Sequence, residues 1–127
     1  MFKRKEILSA IYDMLYSICP EIYTSSRPIA KTPSKEFFVI RLSQGIRSES
    51  QLHNSCIGQI HIYVKDRANN IENVDREEQL VQAVSSLFPF NNGFMSCNST
   101  PYLSDSKSDG MGYHSIIIQF KIIIKKL

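Results

Sequence analysis

The chain has 127 residues, is 43% hydrophobic and 21% charged, and carries a net charge of +3. That is enough for one α+β domain spanning residues 1–127 with a core of its own, and it is too apolar for a disordered chain. No apolar run approaches the roughly 20 residues that a membrane span needs.

The charge is concentrated at the chain ends. Residues 1–6 carry a net +2 and Lys125 and Lys126 another +2, which leaves −1 for the rest. Basic residues at two ends do not make the stripe of Lys and Arg with interleaved aromatics that marks a nucleic-acid binder. A fold that joins the ends would gather them into a patch. The opening Met-Phe-Lys-Arg-Lys-Glu leads into an amphipathic pattern, not into the continuous apolar stretch of a secretory signal. The expectation is a protein that stays in the cytoplasm. Cys19, Cys56 and Cys97 are odd in number and widely spaced. They read as reduced cysteines packed as small hydrophobes, not as zinc ligands or a disulfide framework.

Ile7, Leu8, Ile11, Leu15 and Ile18 recur at helical spacing and predict a helix over residues 3–18. Pro20 stops it. Residues 21–24 are short and rich in β-formers. Residues 25–35 hold Pro28 and Pro33 and read as a loop or irregular edge. Residues 37–42 form a strand with both faces partly covered. Residues 43–54 are polar and predict a loop or hairpin tip. The next strand covers residues 56–65, with Ile60, Ile62 and Val64 alternating with Gln59, His61 and Tyr63. Residues 66–70 are turn formers.

A second helix is predicted over residues 74–88, its buried stripe formed by Val74, Val81, Val84, Leu87 and Phe88. Asn73 or Asp75 can cap it, and Asp75 with Glu78 fits the capping-box spacing. Residues 91–110 read as a long polar connection in which Phe94, Met95, Tyr102 and Leu103 suggest a short strand. Residues 104–110 read as an exposed, mobile tip. The last strand spans residues 112–125, with Ile116, Ile118, Phe120, Ile122 and Ile124 on one face. The order is α-β-β-β-α-(β)-β. It predicts an α+β fold, a mostly antiparallel sheet with two helices packed on one face.

No constellation with catalytic, cofactor-binding or metal-binding spacing is present, so the sequence assigns no residue to those roles. His53, His61 and His114 lack the i, i+4 helical spacing of a zinc protease. Antiparallel pairing that brings His61 near His114 is the one route to a shared metal. Cys56 and His61 differ by an odd number of positions and face opposite sides of a regular strand unless Gly58 forms a bulge. Cys97 with His114 has no pattern behind it. The pair Gly110 and Gly112 reads as a tight turn or strand start, because no helix follows to present its N-terminus to a phosphate. Asp75, Glu77 and Glu78 read as a solvated first helical turn. Phe37, Phe38, Tyr63 and Tyr113 could serve as a base-stacking platform, but core and cross-strand packing is the simpler reading.

The arrangement resembles the tail terminator and tail-completion proteins of long-tailed phages. The parallels are the helix carrying Ile7 to Ile18, then Ile22-Tyr23 with Arg27-Pro28, the strand at 37–42, the strand at 57–64, the helix at 74–88 and the long strand at 112–124. The Asp109-Gly110-Met111-Gly112-Tyr113-His114 lead into the last strand also looks like the family's glycine-led start. The resemblance spans nearly the whole chain but is one of pattern, and the loops at 43–54 and 91–110 are long for the family. It implies a structural subunit and no enzyme. The subunit would form a homo-oligomeric ring, commonly a hexamer, between tail-tube and head-connector proteins, assembled in the host cytoplasm and retained in the virion tail. No membrane and no sequence-specific nucleic acid is implied as a partner. The alternative is a small monomeric binding or accessory module, with nucleic acid as a candidate ligand.

Overall fold

The computed structural model describes residues 4–24, 35–43, 45–48, 51–98 and 100–125. The proline-containing segment expected at 25–35, with Arg27-Pro28, falls almost wholly outside them. The first helix, α1, is Arg4–Leu15, and it buries Ile7, Ile11 and Leu15. It ends three residues earlier than the periodicity suggests. The chain closes with a turn in which the Cys19 N–H donates to the Leu15 carbonyl, ahead of Pro20.

Among the described residues nine strands form one sheet. They are β1 (Ile22–Thr24), β2 (Glu36–Leu42), β3 (Arg47–Ser48), β4 (His53–Lys65), β5 (Phe90–Asn91), β6 (Met95–Cys97), β7 (Tyr102–Leu103), β8 (Lys107–Ser108) and β9 (Tyr113–Lys125). The second helix, α2, is Val74–Ser85. The main path runs β1-β2-β4-β9-β6-β5, with β3 beside β4 and with β7 and β8 beside β9. β1 is parallel to β2, and every other pairing is antiparallel. The α+β fold, the helix–strand order and the mostly antiparallel sheet expected from sequence are therefore present.

The centre of the sheet is the unbroken pairing of β4 with β9, from His53 opposite Lys125 to Lys65 opposite Tyr113. Partners directly opposite share a face. Even-numbered residues of both strands therefore point one way and odd-numbered residues the other. The even side meets α1 and α2. Ile60, Ile62, Ile118, Phe120, Ile122 and Ile124 pack there with Ile7, Ile11, Leu15, Leu80 and Val84 in the main core. No helix covers the odd side among the described residues. A second, aromatic cluster sits there, built on Phe37, Val39 and Tyr113 with Tyr23 and Tyr63 against them.

Gly58 explains one detail of the core. It faces Phe120 across the ladder, and a Cβ on Gly58 would lie 2.9 Å from the Phe120 ring. The ring occupies the space that glycine leaves, and it meets Phe88 edge-on at 4.9 Å.

Three expectations need correction. The polar stretch at 43–54 contains β3 and the start of β4, because Arg47 and Ser48 pair with Ser55 and Asn54. α2 stops at Ser85, and its buried positions are Glu77, Leu80 and Val84. Val74 is 46% exposed and leaves the predicted stripe, whereas Val84 is in the core and Val81, Leu87 and Phe88 pack against it. The tip at 104–110 is exposed in part but is not loose. β8 pairs with Ser115 and His114, and the Ser104 N–H donates to the Ile117 carbonyl at 3.0 Å. Together β8, β7 and β6 tile the outer edge of β9 at three places along its length. The edge that a single long strand would leave open is thus paired within the chain.

Candidate functional site

The most concentrated polar chemistry lies where β4 ends, α2 begins and β9 starts. The Asp66 N–H donates to the Gly112 carbonyl at 2.9 Å, which joins the end of β4 to the turn before β9. Gly110 and Gly112 in that turn have φ of 74° and 88°, conformations that glycine adopts at little cost. This is the tight turn expected there. The geometry sets His114 between two carboxylates. Its Nδ1 lies 2.5 Å from Asp66 Oδ1, and its Nε2 lies 4.0 Å from Glu72 Oε1. The Asp66 side chain is only 5% exposed. The hydrogen bond to Asp66 holds the His114 pKa above its ordinary value. Burial opposes this, and the charges of Asp66, Glu72 and Glu77 add to it. The Nδ1 hydrogen bond to Asp66 and the nearby charge of Glu72 both favour the imidazolium form of His114.

Glu77 completes the cluster and overturns the solvated reading of the acidic turn. It is 2% exposed on the inner face of α2, and Ser106 Oγ donates to its Oε1 at 2.5 Å. Burial pushes its pKa up, while the Ser106 hydroxyl pulls the other way. Asp75 and Glu78 remain exposed, and Asp75 pairs with Arg67 at 3.2 Å. The helix is capped by Asn73, whose side chain accepts the Arg76 N–H at 3.3 Å. The alternative cap at Asp75 is not used. Arg76 ties α2 to β2 with a two-pronged contact to Glu36, at 2.6 and 2.5 Å.

This cluster joins four segments, but its parts are committed to one another. The Ser106 hydroxyl donates to the Glu77 carboxylate, and His114 Nδ1 is bonded to Asp66. Among the described residues no group of three His, Cys, Asp or Glu is placed to hold a metal ion. The cluster does the work of a clasp between α2, β9 and the β7–β8 connection. Sequence reasoning missed it, although Glu77, Leu80 and Val84 share one helical stripe and an acid on an apolar stripe was the available signal.

The other singled-out residues fall elsewhere. His61 pairs with Ile117 on the odd side, whereas His114 pairs with Val64 on the helix side. The two histidines face opposite ways and share no site. Cys56 and His61 are likewise on opposite faces of a strand with no bulge at Gly58. Cys97 pairs with Phe90 beside the far end of β9, eight residues or more from His114 along the strand. All three cysteines are free and buried. Phe38 lies in the helix-side core, on the opposite face from Phe37. Phe37 stacks on the partly buried Tyr63 at 4.6 Å and is itself fully buried, so its ring is not presented as part of the expected platform.

The odd side carries a polar row at its middle. His61 Nε2 donates to Gln59 Oε1 at 3.0 Å, and Gln59 Nε2 donates to Gln119 Oε1 at 2.9 Å. Burial, aided by the charge of Arg41, lowers the His61 pKa. That suits the neutral donor this chain of bonds requires.

Fold and clasp together define the class: a small sheet protein with both helices on one side and its polar chemistry used to fasten segments. No family model and no curated protein matches the chain. Among the solved structures similar to it is one with a TM-score of 0.67 at 10% identity, over 100% of this chain and 99% of the other. That protein's name states no activity. The likeness is one of fold alone.

Proposed function

We propose that the chain is a structural assembly subunit of a phage or prophage tail, a ring-forming tail-terminator or tail-completion protein at the head–tail junction. Two things support this reading. The described element order is the one that the family resemblance implies. The observation that carries it is an apolar patch at one end of the sheet. Ile71, Val74 and Met111 are 58%, 46% and 66% exposed there, brought to that end by the Arg67–Ile71 bridge and the Asp66–Gly112 contact. Leu52, 70% exposed, stands at the opposite end, just before β4. Apolar groups at two different ends suit a head-to-tail contact, which closes into a ring when the rotation allows.

In this reading the chain performs no turnover, meets tail-tube and head-connector proteins, and is made in the host cytoplasm before it enters the virion. Among the described residues no helix is long and apolar enough to cross a membrane. Light scattering over a range of concentrations tests the proposal. A ring-sized mass is expected. A monomer at every concentration and in several salts counts against it.

A further inference from the structure

The clasp and the exposed apolar end share one turn. Glu72 follows Ile71 directly, and Val74 opens α2 two residues later. The Arg67 N–H donates to the Ile71 carbonyl at 2.7 Å and closes the turn from one side. From the other side Glu72 lies at ion-pair distance from His114 Nε2, 4.0 Å. Asn69 in the turn has φ of 65°, a left-handed conformation that residues with a Cβ adopt less readily than glycine.

His114 faces three acids from three segments: Asp66 at the end of β4, Glu72 in the turn and Glu77 on α2. β8 sets Ser108 opposite it, and β4 sets Val64. Lys107 and Lys65, one residue along those strands, stand opposite Ser115 and Tyr113 and so face the other side of the sheet. Arg67 and Arg76, from the turn and the helix, are engaged by Asp75 and Glu36. The two sides of the imidazole are not equal. Asp66 has a side chain only 5% exposed, and its N–H is also fixed to the Gly112 carbonyl. Glu72 is 31% exposed and lies outside any helix or strand. A histidine whose Nδ1 stays bonded to a carboxylate gives up its proton from Nε2. That nitrogen then faces the Glu72 carboxylate with a lone pair, and the three acids lose the cation between them.

We infer that His114 is a pH-operated latch on the turn that presents Ile71. Protonated, it holds Glu72 to the start of β9 and keeps Ile71 at the same end as Met111. When Nε2 gives its proton to solvent, Glu72 is repelled, the Arg67–Ile71 bridge loosens and the patch disperses. Because the pKa of His114 is raised, the latch is closed at mildly acidic pH and opens as pH climbs through that raised value. The latch is a property of the single chain. Its effect on self-association rests on the assembly reading above: acid pH favours the ring and alkaline pH the free subunit.

The test is amide hydrogen exchange by NMR on the full chain from about pH 5 to about pH 8, with the His114 ring protons followed in the same samples. Rates are corrected for their intrinsic dependence on pH. The Arg67 amide, bonded to Ile71, should lose protection by about two- to fivefold as His114 loses its proton, the size expected when a partly exposed ion pair is broken. The Asp66 amide, bonded to Gly112, should keep its protection and serves as the internal reference. Glu72→Gln leaves the His114–Asp66 bond in place and should abolish the step at Arg67. His114→Gln should hold Arg67 at the open level throughout. An Arg67 amide that keeps its protection through the His114 titration overturns the inference, and so does a Glu72→Gln chain that still shows the step. Light scattering on the same samples reads the effect on assembly. A ring-sized mass that declines through the titration in the wild type but not in Glu72→Gln supports the regulatory role, and a ring-sized mass independent of pH overturns it. A monomer throughout overturns the assembly reading instead, and the exchange result alone then decides the latch.

Discussion

Gly58 and Phe120 show how one missing side chain fixes a core. The ring lies where a Cβ would be, and the nearest ring atom would stand 2.9 Å from it. Phe120 cannot simply turn away, because Phe88 and Phe90 hold it edge-on at 4.9 and 6.3 Å. Gly58→Ala should therefore overpack the sheet and cost about 1–3 kcal/mol. Urea unfolding monitored by circular dichroism gives the value directly. An unchanged midpoint would mean that the ring has room to move. The clasp makes a second prediction, about pH. His114 has a raised pKa, so its contribution is complete below the ordinary histidine value and is lost as pH rises through the raised one. Glu77 also has a raised pKa, but it is an acid, so its ionisation in the fold costs stability once pH passes the ordinary carboxylate range. Both groups act in the same direction, and stability should decline from mildly acidic to alkaline pH. Glu77→Gln keeps an acceptor for Ser106 and removes the charge, so it should flatten the carboxylate part of that decline. Denaturant midpoints across the pH range measure it, and a profile identical to the wild type would remove Glu77 as a contributor.

At the scale of elements, α2 depends on its two ends being fastened. Asn73 accepts the Arg76 N–H and also receives Arg67 Nη2, both at 3.3 Å. Asn73→Ala removes the cap and one anchor of the preceding turn, and should cost about 0.5–2 kcal/mol. Thermal unfolding reads the loss, and Asn73→Asp should recover most of it. The elements themselves were largely legible in the sequence. Alternation at Ile60, Ile62 and Val64 and at Ile116 to Ile124 marks strands whose burial is what the pattern implies, since period-two spacing fixes the face. The three-four spacing of Ile7, Ile11 and Leu15 does the same for α1. What was not legible has one physical origin, which is that side chains meet across strands. β7 and β8 are two residues each and have no period of their own. They exist because β9 offers an edge. Glu77 reads as solvated until Ser106, 29 positions away, is laid against it.

At the scale of the molecule, the sheet divides the labour between its sides. The even side spends its apolar residues on two helices, and the clasp fastens one end of that layer. The exposed apolar residues at the clasp end are what remains for a neighbour. Ile71 and Met111 lie on different turns that the Asp66–Gly112 contact and the Arg67–Ile71 bridge bring to the same end. Neither makes up part of the core, so a charge at either position should leave the monomer's fold intact. In an assembled ring the same charge would be buried against an apolar partner, and an unpaired buried charge costs several kcal/mol. Ile71→Asp with Met111→Asp should therefore shift the mass in solution toward the monomer while circular dichroism and the unfolding midpoint of the isolated subunit stay put. A double variant that keeps a ring-sized mass would move the interface away from this end, and the β7 flank with the exposed Leu103 would be the next surface to charge. A double variant that unfolds would instead show that these side chains serve the clasp's own turns, and would withdraw the patch as support for assembly.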